Sequence, residues 1–183
     1  MLTKNEERII NKLESDIRVG SLKPFHTLNF IGMKPDAVFC DIGAGSGLFV
    51  DAALKLTTGN IFAVDISDDM RSILEKRFAD ENVKILKDTS TIEDNSCDLI
   101  LLSTVMHELD DVQAMNSEVF RIMAPGGRVV IIEFFGDRTD FGPPLEERLS
   151  KIKLKDIMSA GGFTFESGFD LNEYLYCQVY YDK

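Results

Sequence analysis

Histidine and cysteine are scarce in this chain. Among 183 residues there are two histidines, His26 and His107, and three cysteines, Cys40, Cys97 and Cys177, which lie far apart and form no CxxC pair. An odd, scattered set of thiols argues against a disulfide framework and against a zinc-type cluster, so no metal site is expected. Cys40 and Cys97 fall in or beside apolar runs and read as small core residues. No apolar run approaches the ~18 residues that a bilayer span requires. The opening Met1-Leu2-Thr3-Lys4-Asn5-Glu6-Glu7-Arg8 has no apolar core and no small-residue cleavage site. A signal peptide is therefore not expected, and a cytoplasmic location is. Positive charge is also in deficit, with 20 Lys and Arg against 31 Asp and Glu, a net charge of −11 spread along the chain. Such a field repels phosphate backbones and anionic lipid, which disfavours nucleic acid as a partner.

What is present is an ordinary globular composition, 44% hydrophobic and 28% charged. A chain of this length forms one domain by prior and buries roughly 70% of its unfolded surface. Thr3-x-x-Glu6 has the form of a capping box, and Ile9, Ile10, Leu13 and Ile17 follow on one helical face, with Gly20 ending the helix. A second helix is expected from Pro24 to Gly32. An apolar run, Val38 to Ile42, then forms a first strand, and Ser46 to Thr57 a helix. Ile61 to Asp65 and Val83 to Asp88 are further strands ending in an acid, with a helix between them capped by Ser67. Asp98 to Ser103 is a fourth strand, apolar from Leu99 to Leu102 as a strand buried on both faces is. Asp110 is expected to cap the next helix. Ala124-Pro125-Gly126-Gly127 then turns into a strand from Arg128 to Phe135. Gly136 to Leu149 is a loop, Ser150 caps a last helix, and Phe163 to Tyr181 is a hairpin. Strands and helices alternating five times predict an α/β fold, a parallel sheet covered on both faces.

The chemistry centres on Asp41-Ile42-Gly43-Ala44-Gly45-Ser46-Gly47. Glycines at that spacing let a ligand approach the backbone, and the helix start beyond them offers unpaired N–H groups, as in a nucleotide-like cofactor site. The dinucleotide fingerprint needs glycine or alanine at its sixth position, where this chain has Leu48. Asp65, at the end of the second strand, is placed to accept from ribose hydroxyls, or else to cap the next helix.

Gly-x-Gly-x-Gly with an acid two residues before it resembles the first motif of the class I S-adenosylmethionine-dependent methyltransferases. Arg121 to Glu133, with its Pro-Gly-Gly turn and apolar strand, is similar to that family's late motif. Phe141 to Ser150 resembles a loop of small-molecule members near the ubiquinone/menaquinone-biosynthesis type. The resemblance covers about residues 33 to 183. It implies a Rossmann-like three-layer sandwich whose seven-stranded mixed sheet has the order 3-2-1-4-5-7-6, with strand 7 antiparallel. It also implies S-adenosylmethionine as methyl donor, leaving S-adenosylhomocysteine.

On that resemblance Asp41, Gly43, Ala44, Gly45 and Gly47 enclose the methionyl and ribose parts, and Asp65 holds the ribose. Ile66 and Met70 flank the adenine, although Met70 also fits a core role. Asp88 and Thr89 recognise the adenine, with a solvated loop acid as the alternative for Asp88. The backbone at Ser103 holds the methionyl amine. His107 is a candidate general base or a hydrogen-bonded residue at a helix entrance. Glu133 faces the acceptor or supports a group that does. Residues 1–32 are expected to form a helical cap or lid, or else only to cover hydrophobic surface, on a methyltransferase domain of residues 33–183. The acceptor is expected to be small and apolar or aromatic, given Phe25, Phe30, Phe49, Phe134, Phe135 and Phe141 near loop ends. The oligomeric state is open, a homodimer included. A non-catalytic cofactor-binding domain and a nicotinamide oxidoreductase stand as alternatives.

Overall fold

Three helices precede the first strand in the computed structural model, which describes residues 2–137 and 142–182, leaving the side chains of residues 12 and 16–18 undescribed. Phe141 and the side chain of Ile17 thus lie outside the described residues. α1 (Lys4–Leu13) opens on a full capping box: Glu6 donates its N–H to Thr3 Oγ1 at 3.3 Å, and Thr3 its N–H to the Glu6 carboxylate at 2.7 Å. The expected single helix is broken after Glu14, and α2 (Asp16–Leu22) runs through Gly20 instead of stopping there. A glycine inside a helix weakens it by about 1 kcal/mol without ending it. The stop comes at Lys23, held at φ +44 ahead of Pro24, which begins α3 (Pro24–Ile31). Gly32, at φ +79, closes α3 in the left-handed conformation that favours glycine.

The chain divides into two compact units, Met1–Thr91 and Ile92–Lys183. In the first, β1 (Phe39–Ile42), β2 (Ile61–Val64) and β3 (Val83–Leu86) pair in parallel, Cys40 beside Phe62 and Phe62 beside Lys84. β1 and β2 are buried at every position, as strands covered on both faces are. α4 (Leu48–Ala53) starts two residues later than its pattern suggests, because Gly47 is at φ +89 and cannot belong to a right-handed helix. α5 (Asp68–Arg77) is capped by Ser67 and buries Ile73 and Leu74.

In the second unit, β4 (Cys97–Ser103) pairs in parallel with β5 (Met123–Phe134), and β7 (Leu175–Asp182) runs antiparallel to both β5 and β6 (Phe163–Asp170). α6 (Val112–Ile122) is capped by Asp111, one residue after the expected Asp110, and α7 (Lys151–Ala160) by Ser150. The Pro125-Gly126-Gly127 turn is a kink inside β5, with Gly126 at φ +74, and the strand begins at Met123. The pairing register shifts beside it, between Cys97 and Leu99. The seven strands form one sheet in the order β3-β2-β1-β4-β5-β7-β6. That order and the antiparallel β7 are those the sequence resemblance implies. All three cysteines are buried and free of disulfides. Among the described residues no helix is long and apolar enough to cross a membrane.

Two glycines of the first unit should respond oppositely to alanine. A Cβ at Gly59 would stand 2.3 Å from the Ala37 carbonyl oxygen, whereas one at Gly20 meets nothing within 4 Å. Gly59→Ala is expected to cost about 1–3 kcal/mol, and Gly20→Ala to add about 0.5–1 kcal/mol. Urea midpoints of the two variants against wild type check the signs.

Candidate active site

In the first unit, three glycines carry β1 into α4 through the left-handed region, at φ +78 for Gly43, +55 for Gly45 and +89 for Gly47. The Gly43 and Ala44 N–H groups donate to the Val64 carbonyl at 2.8 and 3.0 Å, which ties the turn to the end of β2. Gly47 also admits the Phe78 ring, since a Cβ there would lie 2.4 Å from Phe78 Cε2. At Gly45 the space is open apart from Leu13, whose Cδ1 lies 3.9 Å from where a Cβ would be.

Asp65 binds this turn directly. One carboxylate oxygen accepts the Gly45 N–H at 2.8 Å and the other the Ser67 N–H at 2.9 Å. A carboxylate has about four acceptor positions, so the partly buried Asp65 keeps capacity for ligand hydroxyls. Ser67 caps α5 by accepting the Met70 N–H. Asp65 therefore fixes the turn without serving as that cap.

Asp41, on β1, is only 2% exposed. Burial, and then the charge of Asp65, push its carboxyl up to about 8. A buried acid held neutral beside an ionised one suits a cationic ligand group, which would restore its charge. Ile66 is 82% exposed, and Met70 is partly buried. Asp88 is exposed, and its Oδ1 accepts the Ser90 hydroxyl and the Ser90 N–H. These bonds, the hydroxyl first, hold it below the usual carboxylate range. Thr89 beside it is buried.

In the second unit β4 ends at Ser103, whose Oγ is buried with no hydrogen-bond partner among the described residues. Thr104 follows at φ +57, uncommon for a β-branched residue and a mark of local constraint. Two residues on, a short 3-10 turn, Met106–Glu108, carries His107. His107 Nδ1 lies 2.8 and 3.0 Å from the two Glu133 carboxylate oxygens. Glu133 is fully buried near the end of β5 and also accepts the backbone N–H groups of His107 and Phe134, each at 3.3 Å. Burial alone would lower the His107 pKa, but the Glu133 hydrogen bond and charge, aided by Glu108 and Glu147, raise it above its ordinary value. Phe134 meets the imidazole edge-on, with ring centroids 6.0 Å apart. Arg148, buried, donates to the Pro143 carbonyl at 2.7 Å and to the Phe135 carbonyl at 3.2 Å, and stacks its guanidinium on Phe134.

Sequence reasoning names His107 and Glu133 but not their pairing. It also misses Thr104, Arg148 and Arg77, whose guanidinium donates to the Ser46 carbonyl inside the glycine turn. For Thr104 no residue pattern announces a left-handed threonine.

Residues 40–131 match the family described as a methyltransferase domain. The chain belongs to that family. A solved structure from Sulfolobus solfataricus, described as a type 11 methyltransferase, is 31% identical with a TM-score of 0.77, covering 85% of this chain and 89% of that one. A methyltransferase structure from Aquifex aeolicus, described as SAM-dependent, shares the fold with a TM-score of 0.88 at 23% identity, over 97% of this chain and 98% of that one. Among curated proteins, the ubiquinone/menaquinone biosynthesis C-methyltransferase UbiE of Hydrogenovibrio crunogenus is 25% identical over 60% of this chain and 46% of its own length. The demethylmenaquinone methyltransferase of Clavibacter sepedonicus is 31% identical over 51% of this chain and 40% of its own. The chain thus spans less than half the length of these curated relatives. The resemblance to class I S-adenosylmethionine-dependent methyltransferases holds.

In the first unit, the glycine turn with room at Gly45 and the buried acid at Asp41 fit that cofactor. The raised Asp41 sets a pH dependence. Above about pH 4 the unfolded chain loses this proton, while the folded chain keeps it up to about 8. Stability without cofactor should therefore fall as pH rises between those values and level off above them. Asp41→Asn should remove that slope and gain on wild type between about pH 5 and about pH 8. Urea unfolding at both pH values checks this, and an equal gain at the two would contradict it.

Proposed function

We propose that this chain transfers a methyl group from S-adenosylmethionine to a small apolar or aromatic acceptor whose attacking atom loses its proton to His107. The observation that carries the reading is the His107–Glu133 pair, a buried carboxylate on Nδ1 of the imidazole, while Nε2 has the exposed Glu108 carboxylate 3.8 Å away, beyond hydrogen-bond distance and able to swing aside for an acceptor. When bound, the cofactor supplies a methyl already activated on a sulfonium for in-line displacement. The protein's part is to hold, orient and take a proton. Asp65 offers its remaining lone pairs to the ribose hydroxyls, Asp41 faces the cationic methionyl end, and Ile66 with Met70 flanks the adenine. Asp88 and Thr89 close on the adenine edge, and Ser103 offers its backbone and its unpartnered hydroxyl.

At the acceptor, Glu133 fixes the imidazole tautomer so that Nε2 is the basic nitrogen. Its charge keeps the imidazole basic despite burial. Phe134 walls the imidazole with an aromatic edge, which suits a ring-bearing acceptor. Phenol and quinol rings are the first acceptors to test, since curated relatives act in ubiquinone and menaquinone biosynthesis. Excluding water suits a displacement that disperses positive charge. On this reading residues 1–32 act as a helical cap beside the glycine turn, and residues 33–183 as the methyltransferase domain.

Two sets of variants test the assignments. Asp65→Ala should weaken S-adenosylhomocysteine binding at least ~10-fold by removing a charge-assisted acceptor, and unchanged affinity in calorimetry would contradict the ribose assignment. His107→Ala should lower kcat on a responsive phenol by about 10²–10⁴ while leaving S-adenosylhomocysteine affinity intact. Glu133→Gln should shift the acidic limb of the kcat–pH profile downward, because the carboxylate that raises the imidazole pKa is gone. An unmoved limb would show that His107 is not the titrating base.

A further inference from the structure

α1 is tied to the end of α5 at two points. Lys76 Nζ meets the Glu6 carboxylate at 2.6 Å, with the Ser72 hydroxyl on the same oxygen at 3.2 Å. At the other end of α1, the Arg77 guanidinium pairs with Glu14, the residue that closes that helix. The same Arg77 nitrogen donates to the Ser46 carbonyl at 3.1 Å, between Gly45 and Gly47. The guanidinium lies 5.5 Å from the Phe78 ring, the ring that fills the space beside Gly47. Between the two ties, Leu13 stands over Gly45.

We propose that Arg77 is a positioning residue of the cofactor site, clasping α1 over the glycine turn and so setting how fast the cofactor is released. The proposal rests on the reading that the cofactor binds at that turn. Two features give the clasp its importance. A ten-residue helix is marginal alone and depends on tertiary contacts for its place. Yet Ile9, Ile10 and Leu13 are each only partly buried, so apolar burial holds α1 loosely and the ion pairs carry more of its attachment. Arg77 differs from an ordinary surface partner because one nitrogen serves both the helix and the turn. Displacing Glu14 frees the Ser46 carbonyl's donor to reorient, and a shift of that carbonyl loosens the pair. Attachment by charge is also screened by salt.

The test is release of S-adenosylhomocysteine from full-length protein, followed by chase with tritiated ligand at low and high salt. Arg77→Ala should release it about fivefold faster at low salt, and wild-type release should accelerate with salt more than that of the variant. KM for S-adenosylmethionine should rise while kcat at saturation holds. Arg77→Lys, which keeps the charge without the planar fork, should be intermediate. Glu14→Gln breaks the same pair from α1 without disturbing Phe78. It should reproduce the faster release, with the double variant no faster than either single one. Equal release rates in wild type and Glu14→Gln, with binding intact, would overturn the clasp alone. Failure of wild type to bind S-adenosylhomocysteine would overturn the cofactor reading, and the clasp with it.

Discussion

Two backbone N–H groups, those of Gly45 and Ser67, end on the carboxylate of Asp65 at 2.8 and 2.9 Å. The first unit's site depends on this arrangement. It locks a turn of three left-handed glycines, which have little intrinsic preference for one conformation, to the residue that caps α5. It also places the Asp65 carboxylate where its charge acts on a second acid, the buried Asp41. Asp41 keeps its proton because burial and that neighbour both oppose ionisation. Asp65 thus holds the turn and adds to the burial that keeps Asp41 protonated up to about 8.

The second unit solves a similar problem at the end of another strand. Glu133 is fully buried, and an unpaired carboxylate there would cost several kcal/mol. The His107 ring and the backbone N–H groups of His107 and Phe134 satisfy it. The bonds hold the imidazole in one orientation, and the Glu133 hydrogen bond and charge raise its pKa against the effect of burial. Strain accumulates nearby: Thr104 is left-handed, and Ser103 keeps a buried hydroxyl unpartnered. Unsatisfied and strained groups persist only where surrounding structure over-determines them, and that pattern concentrates at sites that bind or react.

Much of this was legible because the signals are local. Buried strands show as apolar runs, the caps Thr3, Ser67 and Ser150 as hydroxyls ahead of helical patterns, and the glycine turn as small residues between them. The sheet order came from a resemblance, since no periodicity says which strands neighbour one another. Errors fell where one local rule yielded to another. Gly20 was overruled by the Lys23-Pro24 stop, Ser46 by the positive φ of Gly47, and Asp110 by its neighbour Asp111. What stayed hidden is long-range. His107 and Glu133 are 26 residues apart in the chain, and Arg77 and Ser46 are 31. A sequence shows which groups exist and leaves open which of them meet.

The first unit then combines two grades of rigidity. Its glycine turn is fixed by backbone bonds to Val64 and by the Asp65 carboxylate, none of which can be given up without exposing unpaired polar groups. α1, by contrast, is held by charged side chains at its two ends over a partly buried apolar face. Segments that must open are drawn from the weakly held end of a structure's stability range. On the proposed clasp, a cofactor that enters and leaves at every turnover uses this segment beside a turn that does not move. The division falls at Arg77, whose guanidinium bonds to both.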